Sequence, residues 1–185
     1  MKSTRLGLLL ILLIACLAGC DGTESLEKGP VLVGIAGPTA TWNYYEQTAA
    51  LVITGQGAID QELCSSLFFQ NTVRRLIVEE GITEIGLDAF AKCSSLESVT
   101  FPDTLKIIES RSFYECTALK NVILPEGVVI VGMRAFKGCE SLVQVVLPST
   151  ITRVESTAFE ACDALTDMTV PPHLEEWARI NGFRE

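Results

Sequence analysis

Four of the seven cysteines in this 185-residue sequence, Cys93, Cys116, Cys139 and Cys162, recur every 23 residues. Thiols in such register offer three chemistries: disulfide exchange, metal ligation and redox catalysis. The surrounding sequence argues against each. No Cys-x-x-Cys occurs, and His173 is the only imidazole available as a second ligand or base. Equivalent side chains of stacked coils point in parallel, which fits disulfide geometry poorly even with the Cα atoms in range. The expectation is a column of small buried side chains, each with a weak S–H donor for a backbone carbonyl. Cys64 precedes Ser65-Ser66-Leu67 as Cys93 precedes Ser94-Ser95-Leu96, and reads as the remnant of an earlier, longer unit.

The remaining reactive groups give no better constellation. Glu80, Asp103 and Glu126 fall in one column at the same interval. Stacked carboxylates hold calcium in some β-solenoids, but those use a Gly- and Asp-rich nine-residue unit absent here. The column therefore reads as a solvated acidic ridge. Gly55-Gln56-Gly57 has neither a third glycine nor a following helix, so it is not a phosphate loop. No Ser-His-Asp or Cys-His arrangement can be built around His173, and nothing nominates a pair of carboxylates for acid–base work. The reading is a noncatalytic protein with no metal and no cofactor.

Composition narrows the partners. The hydrophobic fraction is 48% and the formal charge −9. The first implies an ordered core. The second repels phosphate backbones, which argues against nucleic acid, and allows no charge-driven membrane contact.

The elements that position these residues come from a single repeated unit. Cutting the chain at Val73, Leu96, Leu119, Leu142 and Leu165 aligns it as Leu-x-x-Val-x-Leu-Pro-x-x-Ile-x-x-Ile-x-x-x-Ala-Phe-x-x-Cys-x-x. Phe90, Phe113, Phe136 and Phe159 share a column, as do Pro102, Pro125, Pro148 and Pro171. A gapless period of this size predicts a solenoid. Positions one, four and six (Leu119, Val122, Leu124) give a strand with one buried face. The proline cannot donate to a ladder, so it ends that strand. A second extended piece follows, such as 128–131, and Ala-Phe-x-x-Cys suits one helical turn with Phe inward. Stacking at about 4.8 Å sets Phe on Phe and Leu on Leu. No unit can bury its apolar face alone.

The pattern Leu-x-x-Val-x-Leu-Pro…Ala-Phe-x-x-Cys-x-x-Leu over residues 73–171 resembles the BspA-type leucine-rich repeat of bacterial surface proteins. The stretch from Trp42-Asn43-Tyr44-Tyr45 to Gly57-Ala58-Ile59 is similar to the β-rich leader often found before such repeats. This resemblance implies an α/β repeat solenoid of the right-handed leucine-rich-repeat kind. It also implies surface exposure or secretion and, for several members, adhesion to host proteins or other cells, although adhesins of the class carry more repeats than this chain.

Around the array, residues 31–72 read as a β-rich cap: a hairpin around Trp42 to Thr54, then an irregular segment holding Leu67-Phe68-Phe69. Residues 172–185 read as the other cap, with Leu174, Trp177 and Ala178 spaced for a short amphipathic helix and Gly182 in the Phe column. The amino terminus has its own signature. Lys2 and Arg5 precede an apolar run from Leu6 to Leu17, shorter than the roughly 20 residues of a spanning helix. It ends in Leu17-Ala18-Gly19-Cys20, similar to the lipobox of bacterial lipoproteins. That resemblance implies removal of residues 1–19 and acylation of Cys20, with residues 20–30 as a tether, Asp21 to Pro30 being polar and aperiodic.

What is left for function is a surface. Positions two, three and five of each unit are expected to face solvent, and positions three and five supply the candidate binding residues Arg75, Ile77, Thr100, Asn121, Ile123, Gln144, Val146 and Thr169. A β-branched stripe with a polar row beside it can receive a partner. The sequence thus reads as a lipid-anchored, monomeric recognition module for a protein or glycan outside the cytoplasm, at the outer membrane or cell surface. The alternative is a structural envelope lipoprotein or an accessory subunit of a surface complex.

Overall fold

In the computed structural model, residues 29–30, 32–59 and 67–183 are described. Strands β1 (Leu32–Ile35), β2 (Ala40–Tyr45) and β3 (Ala50–Gly55) form an antiparallel meander. The chain then turns at Gln56 into β4 (Gly57–Ile59), and later into helix α1 (Leu67–Thr72). From there each coil contributes two short strands. They are β5 (Arg75–Val78) and β6 (Ile82–Ile85), β7 (Ser98–Thr100) and β8 (Ile107–Ile108), β9 (Asn121–Ile123) and β10 (Ile130–Val131), and β11 (Gln144–Val146) and β12 (Arg153–Val154). The array closes with β13 (Asp167–Thr169), a 3-10 turn over Pro172–Leu174 and helix α2 (Glu175–Ile180).

The first strands stack in the order β1-β2-β3-β5-β7, followed by β9-β11-β13, and the second strands in the order β12-β10-β8-β6-β4. From β5 onward the register is 23 residues, as in Arg75↔Ser98 and Val145↔Met168. The solenoid starts before Val73, because β3 pairs in parallel with β5 and β4 with β6. The leader thus supplies the first coil as well as a cap. Its segment around Leu67, expected to be irregular, is helical from Leu67 to Thr72 and stands where later coils carry Ala-Phe-x-x-Cys.

In those later coils Ala-Phe-x-x-Cys is not the expected helical turn. It is a chain of tight turns with two left-handed residues in each of the first three coils, such as Arg111 (φ 58°) and Glu115 (φ 56°), and one, Ala161, in the last. The left-handed residues turn alternate N–H groups toward the next coil. Phe90 N donates to Ser112 O at 2.8 Å, Phe113 N to Ala135 O at 2.8 Å and Phe136 N to Ala158 O at 2.8 Å. The turn face is therefore a third ladder, which satisfies backbone groups that a lone helical turn would leave without partners.

Between the three faces lies the core. Phe113 stacks on Phe136 at 5.2 Å and Phe136 on Phe159 at 5.3 Å, each pair within 2° of parallel. Leu96, Leu119 and Leu142 form a second buried column. The stack is closed by Phe183, edge-on to Phe159 at 6.3 Å and stacked on Trp177 at 5.7 Å. The sequence column pointed to Gly182, so α2 shifts the closing ring by one residue.

A second period, twice the first, is visible in the contacts between coils. One column alternates Gly81, Thr104, Gly127, Thr150 and another Gly86, Glu109, Gly132, Glu155. Thr104 Oγ1 accepts from Gly81 N at 2.9 Å and donates to Ile82 O at 2.9 Å. Thr150 Oγ1 donates to Glu126 O and to Val128 O at 2.6 and 3.0 Å. Each threonine thus ties its coil to the glycine-bearing coil before it. The two pairs meet where the first-strand ladder is interrupted, between β7 and β9.

Candidate binding face

The side chains nominated from the sequence lie on one face. Parallel pairing sets Ile77 beside Thr100, and Ile123 beside Val146 beside Thr169, while Asn121 and Gln144 pair in the neighbouring row. Position four alternates inward, so Leu76, Val122 and Val145 are buried while their neighbours are not. Thr100, Asn121, Ile123 and Thr169 are exposed; Arg75, Ile77, Gln144 and Val146 are half-buried. Ile123 is 61% exposed. At the other end the stripe is closed, because Val52, paired with Ile77, is buried.

Position two was not singled out from the sequence and shapes this face. Glu97 sits between Arg74 and Lys120, bridged to both. One coil further the charge gives way to Val143, which is 45% exposed. Paired Ile123 and Val146, with exposed Val143 before the strand, leave apolar side chains on a face bordered by Lys120 and Asp167. Gln144 Nε2 donates to Asp167 Oδ2 at 2.6 Å, which fixes the amide in the middle of it. The missed signal was present in the sequence: a lone valine in a column otherwise holding Arg74, Glu97, Lys120 and Thr166.

The residues with chemistry of their own serve the scaffold. Cys116 Sγ donates to Phe90 O at 3.2 Å, Cys139 to Phe113 O at 3.3 Å and Cys162 to Phe136 O at 3.2 Å. All four cysteines of the column are free thiols. Burial pushes the Cys116 and Cys139 thiols far up, and that of Cys162 to about 12. Since the thiolate is the nucleophile, these groups are unreactive in the folded state. Site-resolved maleimide labelling of native protein at neutral pH is expected to leave Cys116 and Cys139 unmodified, with full labelling once guanidinium unfolds the chain. Labelling of both in the native state at the unfolded rate would show that the coils open there.

The acidic column is exposed, as a solvated ridge should be, and its carboxylates are also hydrogen-bonded. Glu80 accepts from Asp103 N at 2.9 Å, and Glu126 accepts from Ser149 N at 3.1 Å and Ser149 Oγ at 2.7 Å. The Ser149 hydroxyl holds the Glu126 carboxyl below its ordinary range. These carboxylates cap the turn of the next coil. His173 Nε2 lies 2.6 Å from Ile151 O, and Gly55-Gln56-Gly57 is the corner between β3 and β4, held by Thr39 Oγ1 donating to Gln56 O at 2.5 Å. Among the described residues no group of His, Cys, Asp or Glu is placed to hold a metal ion. On the turn face an open cleft of about 450 Å³ is lined by Lys92, Tyr114, Glu115, Lys137 and Glu140, with the Lys137 ammonium 2.8 Å from Glu160.

This coil geometry has counterparts. A family model described as the BspA type leucine-rich repeat region matches residues 61–180 in six copies. The chain belongs to the BspA-type leucine-rich repeat family. The sequence matches no curated protein. Among solved structures, this BspA-type chain resembles the T. pallidum leucine-rich repeat protein at 20% identity and a TM-score of 0.50, over 77% of this chain and 93% of that one. A leucine-rich cell surface protein from Faecalibacterium prausnitzii is 21% identical with a TM-score of 0.50, over 81% of this chain and 42% of its own. The pneumococcal vaccine antigen PcpA is 20% identical with a TM-score of 0.59, over 75% and 41%. The BspA-type chain thus spans less than half of the last two. At these identities the likeness shows the fold alone.

Proposed function

We propose that this BspA-type chain is a recognition module, anchored by acylated Cys20 outside the cytoplasm, that binds a protein or glycan through the first-strand face and serves adhesion. The observation that carries the reading is the in-register row Ile77-Thr100-Ile123-Val146-Thr169, with exposed Val143 before the strand. Exposed apolar clusters with a polar border are where partners dock. Cys20 lies outside the described residues, so the anchor rests on Leu17-Ala18-Gly19-Cys20. Surface location draws support from the solved relative that is described as a cell surface protein.

The double change Ile123→Asp with Val146→Asp tests the face. It should leave the melting transition close to the wild type, because both side chains reach solvent. Loss of two central apolar contacts is expected to weaken retention of the partner from intact-cell extracts by at least about 30-fold, or about 2 kcal/mol. Unchanged retention would move the binding site elsewhere. Cys20→Ser should abolish the lipid-labelled form. Protease added to intact cells should cleave the array; complete protection would instead favour a structural role inside the envelope.

A further inference from the structure

The amino-terminal end of the solenoid differs from its array in charge. Between Gly29 and Ile59 the only charged residue is Glu46, although the chain as a whole is strongly acidic. This neutral segment forms the meander whose outermost strand, β1, exposes Leu32 (41%), Val33 (55%) and Ile35 (77%). An edge strand with no lysine, no internal proline and no bulge lacks the usual protections of such edges. Trp42 packs over Gly34 on the face of Leu32, where a Cβ would come within 2.5 Å of the indole, and half-buried Tyr45 lies on the face of Val33 and Ile35. Aliphatic side chains at an edge, aromatic rings beside them and no charge are the composition of segments that rest at a membrane–water interface.

We infer that the β1 edge lies against the lipid surface and sets the solenoid upright on the membrane. This rests on the proposed acylation of Cys20. The position of that cysteine selects lipid over another occupant, because only eleven residues lie between it and Leu32, at most about 40 Å of chain. A contact tethered at that range has an effective concentration on the order of millimolar, so a small apolar patch suffices to hold it. The acidic array, repelled by anionic headgroups, points outward and presents the first-strand face to the medium. Val33 and Ile35 reach only headgroup depth, and no helix among the described residues is long and apolar enough to cross a bilayer.

The test uses the full-length acylated protein in phosphatidylcholine vesicles with brominated acyl chains. The sequence holds two tryptophans, Trp42 and Trp177, at opposite ends of the array. In a Trp177→Phe variant, Trp42 fluorescence should be quenched by the brominated lipid, equally at high and low protein density. In a Trp42→Phe variant, Trp177 should be unquenched. Adding Val33→Asp and Ile35→Asp should remove the quenching of Trp42 without changing flotation or the melting transition. Failure of the acylated protein to float would overturn the anchor. Flotation with an unquenched Trp42 would overturn the lipid contact alone. A fluorescence change confined to high protein density would assign the edge to pairing between copies and equally overturn it.

Discussion

Phe136→Ala is expected to lower the unfolding free energy by about 3–5 kcal/mol, toward the top of the range for buried aromatic truncations. The cost depends on whether the walls can close on the vacated space, and here they cannot. Phe136 is buried between Phe113 and Phe159, both parallel to it at ordinary stacking distance. The flanking coils are fixed by main-chain hydrogen bonds, Phe113 N to Ala135 O and Phe136 N to Ala158 O, which the substitution leaves in place. The cavity therefore persists at full width. Phe159→Ala should cost less, because its outer neighbour Phe183 meets it edge-on near the chain end and can move inward. Urea titration measures both. Since a solenoid's stability is a sum over neighbouring coils, Phe136→Ala should also reduce the m-value as the two halves uncouple. A loss below about 1 kcal/mol for Phe136→Ala would mean the stack is not what couples the coils.

The sequence exposes this core well for a physical reason. In a stacked array a residue type that packs correctly once must do so at every turn, so burial appears as a column. Phe, Leu and Cys columns could be read that way, and the thiols bond to the carbonyls expected of them. Three things were hidden. The hairpin's membership in the ladders was hidden because β3 and β5 are offset by 25 residues, not 23. The left-handed turns were hidden because Lys92, Arg111, Glu115 and Arg134 are not residues that advertise positive φ. The capping role of Glu80 and Glu126 was hidden because their partners are backbone N–H groups of another coil, which no side-chain pattern marks. On the binding face the rows were legible and the part of Val143 was not, since only the interruption of the charged column marks it.

The doubled period was written in the sequence as Gly81, Thr104, Gly127 and Thr150, and its consequence is the second large effect. Gly127→Ala is expected to destabilise by about 1–3 kcal/mol, because the new methyl group would meet main chain that cannot retreat. A Cβ there would stand 2.4 Å from Asp103 O and 2.7 Å from Leu105 O, where the two coil pairs meet. The contrast is Gly138→Ala. Gly138 has φ 76°, so alanine is strained there by about 1 kcal/mol, but the one tight approach of its Cβ would be to the flexible Glu115 Cγ at 3.2 Å, with the Glu115 backbone at ordinary contact distance. Lys92, Glu115 and Ala161 already hold the equivalent position with positive φ. Two glycines in one coil thus separate by mechanism: one is required by close approach, the other only eases a dihedral that side chains tolerate. Denaturant unfolding should rank Gly127→Ala well below Gly138→Ala in stability. Equal losses would mean that backbone strain, and not the spacing between coils, limits the array.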